Sequence, residues 1–294
     1  MAMRSWLFVP GDSQPKLDKA AGFGADVVII DLEDAVAAPA KPTARLLAKT
    51  WLETHGKQIL VGGDFGRWVR INPLDTPLWR EDLAVVMPGR PDGIMVPKAT
   101  GPEQLQVLAA ELMQQEQRNG LAIGATKILP LVSETPTAAL GIAAYAGASL
   151  PRLAGLTWGA EDLSAAIGTS RKRDERGYWT DAFRFVRTQV LLAAHARGVM
   201  PIDTLHADFH DTEGLARIAA ESYADGFAGM LAIHPRQVPV INTAFTPGAE
   251  EIANARAVVA AFNANPGAGA LQLNGRMIDQ PHLDQARRLL ERLG

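Results

Sequence analysis

Apolar runs of strand length recur along the whole chain, and most of them stop at a carboxylate, an arginine, a lysine or a histidine. Val27 to Ile30 runs into Asp31, Glu33 and Asp34, Trp68-Val69 into Arg70 and Asn72, and Gly93 to Val96 into Pro97-Lys98. Ile128 to Val132 ends at Ser133-Glu134, and Leu153 to Trp158 at Gly159-Ala160-Glu161-Asp162. Met200-Pro201-Ile202 ends at Asp203, and Met230 to Ile233 at His234. Continuous apolar runs mark strands buried on both faces, as in a parallel sheet. The C-terminal ends of parallel strands share one rim, so polar groups far apart in sequence converge there, as in a (β/α)₈ barrel.

The segments between the runs have helical periodicity, most clearly at 13–22, 41–55, 102–118, 135–147, 179–197 and 211–225. Ser13 with Pro15, Gly101-Pro102-Glu103, Thr135-Pro136 and Asp211-Thr212-Glu213 are start signals for four of them. With a first strand at Arg4 to Val9, closed by Pro10-Gly11-Asp12, eight strand–helix units are complete by about residue 245. Strict alternation predicts an α/β fold, a (β/α)₈ TIM barrel over 1–245. No Gly-x-Gly-x-x-Gly turn follows an early strand, which counts against a dinucleotide-binding domain. Residues 246–294 read as a C-terminal helical extension. A helix at roughly 248–263 leads into the Gly/Ala/Asn/Pro connector Asn263 to Gly269. Then come Ala270 to Leu273, an Asn274-Gly275 turn, Arg276 to Asp279, and a last helix from Pro281 to Leu293. A connector ahead of a segment with an isolated acid suggests a lid; a helix that caps the barrel or joins subunits is the plainer reading.

The 294 residues carry 29 basic and 32 acidic side chains, a net −3, without the basic footprint of a nucleic-acid binder. The dense basic run Arg171-Lys172-Arg173 is followed at once by Asp174 and Glu175. It reads as a solvated loop or as a contact to a phosphate-bearing ligand. The absence of cysteine excludes disulfides, thiolate nucleophiles and Cys-based zinc sites. Neither a signal peptide nor an apolar stretch of membrane-spanning length is evident, so no membrane partner and a cytoplasmic location are expected.

Glu134 and Asp162 follow consecutive strands, and neighbouring strands lie about 5 Å apart, so the two carboxylates can share one ion. Both are hard oxygen ligands, which implies Mg²⁺, with Mn²⁺ as a substitute. Asp31, Glu33 and Asp34 share the same rim. Arg70 is either a counter-ion for these acids or a fork for a substrate carboxylate or enolate. The Gly159-Ala160-Glu161 turn offers backbone N–H groups to a carboxylate. Lys16, in the first turn of the first helix, and Lys98, at a strand end, are positioned to meet phosphate, although exposed lysines mostly serve as solvated charge. His234 reads as a packed, hydrogen-bonded strand-end residue. No Gly-x-Ser-x-Gly elbow is present.

Arg4 to Gly11, Asp31-Leu32-Glu33-Asp34-Ala35-Val36, Val69-Arg70-Ile71-Asn72, Glu134-Thr135, Gly159 to Leu163, Ala232 to Pro235 and Gly275 to Asp279 stand in a definite order. Together they resemble the citrate lyase β-subunit-like family, within the wider group of acyl-CoA lyases and class II-type aldolases. The resemblance spans residues 4 to 293. It implies a barrel, a Mg²⁺ ion held by Glu134 and Asp162, a CoA thioester substrate, and a homo-oligomer, trimer or hexamer. It places Arg70 beside the substrate carbonyl or carboxylate, Asp31, Glu33 and Asp34 around the metal waters, and Asp279 as an acid delivered by a lid. Ser13-Gln14-Pro15-Lys16 departs from the more Arg-rich turn of relatives, which leaves the CoA phosphate contacts open. The expected activity is cleavage of a malyl-, citramalyl- or citryl-CoA type thioester to acetyl-CoA, or a close relative, and a 2-oxo acid. A citrate lyase β subunit working on a citryl-acyl-carrier protein and a CoA-free pyruvate-type aldolase are the alternatives. A thioesterase would differ only in whether water reaches the thioester.

Overall fold

A computed structural model describes residues 3–56 and 65–291. Eight strands alternate with helices: β1 (Ser5–Pro10), β2 (Val27–Asp31), β3 (Gly66–Arg70), β4 (Gly93–Val96), β5 (Lys127–Pro130), β6 (Gly155–Leu156), β7 (Met200–Asp203) and β8 (Gly229–Ala232). All their pairings are parallel, in the order β5-β4-β3-β2-β1-β8-β7-β6. The circle closes between β5 and β6 through parallel bridges Ile128↔Leu153 and Leu131↔Thr157. There the Ile128 N–H donates to the Arg152 carbonyl at 2.8 Å, and the Ala154 N–H to the Ile128 carbonyl at 2.9 Å. The predicted TIM barrel is the fold observed.

The helices are α1 (Gln14–Ala20), α2 (Lys41–Thr54), α3 (Leu78–Val86), α4 (Pro102–Arg118), α5 (Pro136–Leu140), α6 (Ala144–Gly147), α7 (Ala160–Ile167), α8 (Asp181–Arg197), α9 (Thr212–Ala224), α10 (Gln237–Ala244), α11 (Ala249–Ala264) and α12 (Gln280–Glu291). Two of the start signals are true caps. The Thr135 hydroxyl accepts from the Ala138 N–H, and the Asp211 carboxylate from the Gly214 N–H. The helix expected over 135–147 is instead two short pieces, interrupted where Gly141 ends α5.

The barrel interior is filled by Trp6, Val27, Ile29, Trp68, Met95, Leu129, Leu131, Ile202 and Leu231. These recur at every second position of a strand, since successive side chains point to opposite faces. The same alternation carries Val27 and Ile29 on to Asp31, and Trp68 on to Arg70. Asp31 and Arg70 are register partners across β2 and β3. The inward faces of β2 and β3 are therefore apolar at their start and charged at their C-terminal ends.

The chain forms two compact units, one over residues 3–243 and one over 244–291. In the second, β9 (Ala270–Leu273) and β10 (Arg276–Asp279) form an antiparallel hairpin. Its turn residues Asn274 and Gly275 have φ of 50° and 77°, the pair of positive φ values that an Asn-Gly hairpin turn uses. Ala255, Val258 and Phe262 of α11 pack with Ile278, Leu283 and Ala286 in a separate small core. Much of the expected connector is shorter than anticipated, because α11 continues through Ala264. The predicted end of the last helix at Leu293 lies outside the described residues.

Candidate active site

A cavity of about 340 Å³ opens at the C-terminal ends of the barrel strands. Its lining holds the acids Asp31, Asp34, Glu134, Glu161 and Asp162, with Arg70 among them. Phe8, Pro10, Leu131, Leu205, Leu231 and Ile233 give it apolar surface, and Gly159 and Ala160 are also part of it. A site that combines charged groups with apolar surface suits a ligand with an anionic head and a less polar remainder.

Arg70 is held on three sides. Its Nε donates to Asp31 Oδ1 at 2.8 Å and its Nη2 to Asp31 Oδ2 at 2.6 Å, a bidentate fork. Its Nη1 lies 3.0 Å from Glu33 Oε2, and its guanidinium carbon sits 4.8 Å from the centre of the Phe8 ring. Burial works against the charge of Arg70, but the hydrogen bonds and charge of Asp31, with those of Glu33 and Glu134, outweigh it and raise its pKa. Arg70 is therefore a fixed cation. Two of its five N–H groups donate to Asp31, Glu33 adds an ion pair, and Arg70 still lines the cavity, so N–H groups remain for a ligand.

Asp31 and Glu33 are thus occupied as counter-ions. Asp31 also accepts the backbone N–H groups of Glu33 (2.9 Å) and Ala35 (3.2 Å). Glu33 does not line the cavity; its carboxylate is buried between Arg70 and the Lys98 ammonium. Burial raises the Glu33 pKa against the opposing pull of Arg70 and Lys98. Asp34 is half exposed at the cavity edge, 3.4 Å from Lys98 Nζ.

Glu134 and Asp162 stand apart from these pairs. Glu134 is 3% exposed and receives one hydrogen bond, from the Lys98 backbone N–H to Oε2. Burial pushes its carboxyl up to about 8; the Lys98 N–H and Arg70 oppose the rise, and the like charges of Asp162 and Glu33 add to it. The half-buried Asp162 carboxylate meets no cation or hydrogen-bond donor among the described residues. Gly159 allows this closeness, since a Cβ there would lie 3.0 Å from Glu134 Cγ. Two neighbouring carboxylates with unused oxygens fit a hard divalent cation. No group of three or more metal-ligating side chains occurs among the described residues, and Mg²⁺ needs no more than one or two carboxylates because it keeps several waters.

The remaining candidates are scattered. Glu161 lines the cavity and pairs with Lys172. The basic run is thereby divided: Lys172 meets Glu161, while Arg173 covers the Trp179 ring at 3.6 Å and donates to the Gly177 carbonyl at 2.8 Å. Lys16, expected as a substrate contact, does not line the cavity. Leu17 and Ala20 take the buried face of α1 and leave Lys16 exposed to solvent. His234 is packed as expected, its ring stacked on Phe209 at 4.7 Å and its Nδ1 accepting the Arg236 N–H at 3.2 Å. Asp279 belongs to the second unit, where its Oδ1 lies 2.5 Å from His282 Nδ1. The residue that sequence reasoning undervalued is Lys98, which touches Glu33, Asp34 and Glu134; the only signal available was its place directly after a strand. Asp203, another strand-end acid, is a structural hub: it accepts from Trp158 Nε1 (2.7 Å), Ser222 Oγ (2.5 Å) and Arg187 Nε (2.9 Å).

A closed parallel barrel with its polar groups gathered at the C-terminal strand ends is an enzyme scaffold. The chain belongs to the HpcH/HpaI aldolase/citrate lyase family, whose profile matches residues 4–235, and members of this kind are lyases acting on carbon–carbon bonds. It is 37% identical over 290 residues to the citrate lyase subunit beta-like protein of Mycobacterium tuberculosis, covering 98% of this chain and 95% of that one. It is 35% identical over 292 residues to the (3S)-malyl-CoA thioesterase of Cereibacter sphaeroides, covering 98% and 93%. The fold matches that of the Mycobacterium tuberculosis protein CitE, solved in complex with magnesium, acetoacetate and coenzyme A. The TM-score is 0.76 at 36% identity, covering 99% of this chain and 98% of that one. Among the described residues, no helix is long and apolar enough to cross a membrane.

Proposed function

We propose that the chain is a Mg²⁺-dependent lyase that cleaves the carbon–carbon bond of a 3-hydroxyacyl-CoA thioester of the malyl, citramalyl or citryl type. The products are acetyl-CoA, or a close relative, and a 2-oxo acid. The observation that carries this reading is the division of the rim: Asp31 and Glu33 are taken up by Arg70 and Lys98, while Glu134 and Asp162 keep oxygens free. The magnesium- and CoA-bound CitE structure supports the ion and the thioester. When bound, Mg²⁺ supplies Lewis-acid polarisation of the 2-oxo acid portion.

The other tasks fall to the chain itself. Glu134 and Asp162 hold the ion, and the open N–H groups of Arg70 stabilise the enolate oxygen left on the thioester carbonyl when the bond breaks. Because Asp31 and Glu33 fix the guanidinium beforehand, little reorganisation accompanies that charge development. The apolar lining residues Phe8, Leu205, Leu231 and Ile233 suit the thioester arm and keep water away. A rim carboxylate takes the proton of the substrate hydroxyl as that carbon becomes the 2-oxo group, and Asp279 protonates the enolate carbon; in the reverse direction both transfers run backward. The role of Asp279 rests on the resemblance of the Gly275 to Asp279 motif.

The test is release of acetyl-CoA from malyl-, citramalyl- and citryl-CoA in the presence of Mg²⁺, with EDTA-treated protein as control. Metal-dependent release from one of the three is expected. No release from any of them, with Mg²⁺ bound and the protein folded, would overturn the free-standing lyase in favour of a carrier-dependent subunit or a CoA-free aldolase. Free CoA without the 2-oxo acid would point to a thioesterase. Asp279→Asn is expected to bind Mg²⁺ normally and to lose about 10²–10⁴-fold in rate; near-normal turnover would remove Asp279 from the chemistry.

A further inference from the structure

Five acids, Asp31, Glu33, Asp34, Glu134 and Asp162, meet two cations, Arg70 and Lys98, at the centre of the rim. Arg70 takes Asp31 and one oxygen of Glu33. Lys98 Nζ takes the other oxygen of Glu33 and reaches Asp34 at 3.4 Å. The backbone N–H of the same lysine donates to Glu134. One residue therefore bridges acids that follow β2 and the acid that follows β5. Its backbone is left-handed, with φ of 51°, a conformation that glycine adopts freely and lysine does not. A strained backbone at a site is an observation that calls for a functional account. A glycine there would keep the N–H to Glu134 without strain but would lose the ammonium, so the account has to lie in the side chain.

We infer that Lys98 is a positioning residue that withholds Glu33 and Asp34 from the metal, so that only Glu134 and Asp162 ligate it and the remaining coordination positions stay open for substrate. The inference rests on the reading of Glu134 and Asp162 as the metal ligands. A rim without this ammonium would leave Glu33 and Asp34 less opposed beside Glu134 and Asp162, up to four carboxylates competing for one small cation. Mg²⁺ would bind more tightly and lose the waters that a substrate carboxylate and oxygen must replace. Lys98 thus trades metal affinity for open coordination.

The experiment measures Mn²⁺ binding by electron paramagnetic resonance and the number of metal-bound waters by proton relaxation, on the full chain. Wild type is expected to bind Mn²⁺ and Glu134→Gln to lose most of that affinity; equal binding by the two would sink the metal-site reading itself. With that reading standing, Lys98→Met is expected to bind Mn²⁺ about tenfold more tightly, from one unopposed negative charge nearby. It should hold fewer metal-bound waters and lose kcat. Lys98→Arg should restore all three values. Adding Asp34→Asn to Lys98→Met should bring the Mn²⁺ affinity back toward wild type. Unchanged or weaker Mn²⁺ binding by Lys98→Met, with the wild-type number of waters, overturns the inference and leaves Lys98 a structural residue. If Lys98→Met does not fold, Lys98→Gln is read by the same criteria.

Discussion

At the N-terminal ends of the strands, three acids are each gripped by a guanidinium group. Arg4, before β1, grips Asp26, before β2, at 2.8 and 2.9 Å. Arg67 of β3 grips Asp92, before β4, at two distances of 3.2 Å. Arg152, before β6, grips Glu116, at the end of α4, through two bonds of 2.7 Å. Each pair is a bidentate fork, and each acid also accepts a backbone N–H. At the C-terminal ends the same residue types are deliberately out of balance, with two cations among five central acids. The two glutamates that best represent the ends differ accordingly. Burial would raise the pKa of Glu116, but Arg152 and the N–H groups of Thr126 and Gly124 outweigh it and the value is lowered. Burial raises Glu134 to about 8 because no cation stands close enough to cancel it. A saturated pair locks strands together; an unsaturated one leaves oxygen atoms for a ligand, at a cost in stability.

The largest expected effect tests the rim. At a pH above about 8, where the metal-free Glu134 carboxyl is ionised, Glu134→Gln removes a buried charge without a cation partner, so the EDTA-treated protein should melt at a higher temperature than wild type. Its metal-dependent activity should fall by about 10³-fold or more. Calorimetry in EDTA and the acetyl-CoA release assay read the two effects separately. A variant that is both less stable and fully active would show that Glu134 is a saturated structural acid like Glu116, and the contrast between the ends would collapse.

The difference between the ends was only partly legible in the sequence. Strand ends are visible because apolar runs stop abruptly, and period-two alternation puts Asp31 in line with Val27 and Ile29. That was enough for the barrel and for gathering Arg70, Glu134 and Asp162 in one place. Which acid meets which cation depends on register and side-chain direction, and these are three-dimensional. Asp31 and Glu33, expected around the metal waters, pair with Arg70 and Lys98, a pairing that the linear chain does not display. Lys98 was weighed only as a strand-end contact to phosphate, because a left-handed residue after Pro97 leaves no pattern in a linear chain. Helices α3 and α10, nine and eight residues long, were counted within the eight units but were not among the helices that periodicity marked most clearly.

The second prediction concerns the opposite end. Arg152 and Glu116 are buried, with side-chain exposures of 8% and 0%. Arg152→Ala leaves the Glu116 charge uncompensated and should cost about 3–5 kcal/mol of stability. Turnover per folded molecule and metal affinity should not change, because the pair lies away from the rim. The pH dependence follows from the sign of the shift. The Glu116 pKa in the folded state lies below its ordinary value of 4.5, so the unfolded chain binds the proton more readily. The stabilisation is present above the unfolded value and is lost as pH falls through the folded one. Glu116→Gln should therefore flatten part of the acid limb of a plot of stability against pH, and an unchanged limb would remove Glu116 from that account.

The smallest effect decides whether pairing or burial gives the N-terminal pairs their strength. Arg4 and Asp26 form the same fork as Arg152 and Glu116, but their side chains are 28% and 10% exposed. Water screens a pair of this kind, and Asp26 would keep the Arg4 backbone N–H after truncation. Arg4→Ala should cost about 1 kcal/mol, seen as a lower urea midpoint at an unchanged slope. High salt should shrink that difference, since exposed charges are screened more strongly than buried ones, and should leave the Arg152→Ala difference almost intact. Equal losses for Arg4→Ala and Arg152→Ala, both insensitive to salt, would mean that fork geometry alone sets the strength of these pairs. The stability cost of the unsaturated rim would then have to be traced to missing partners rather than to depth in the protein.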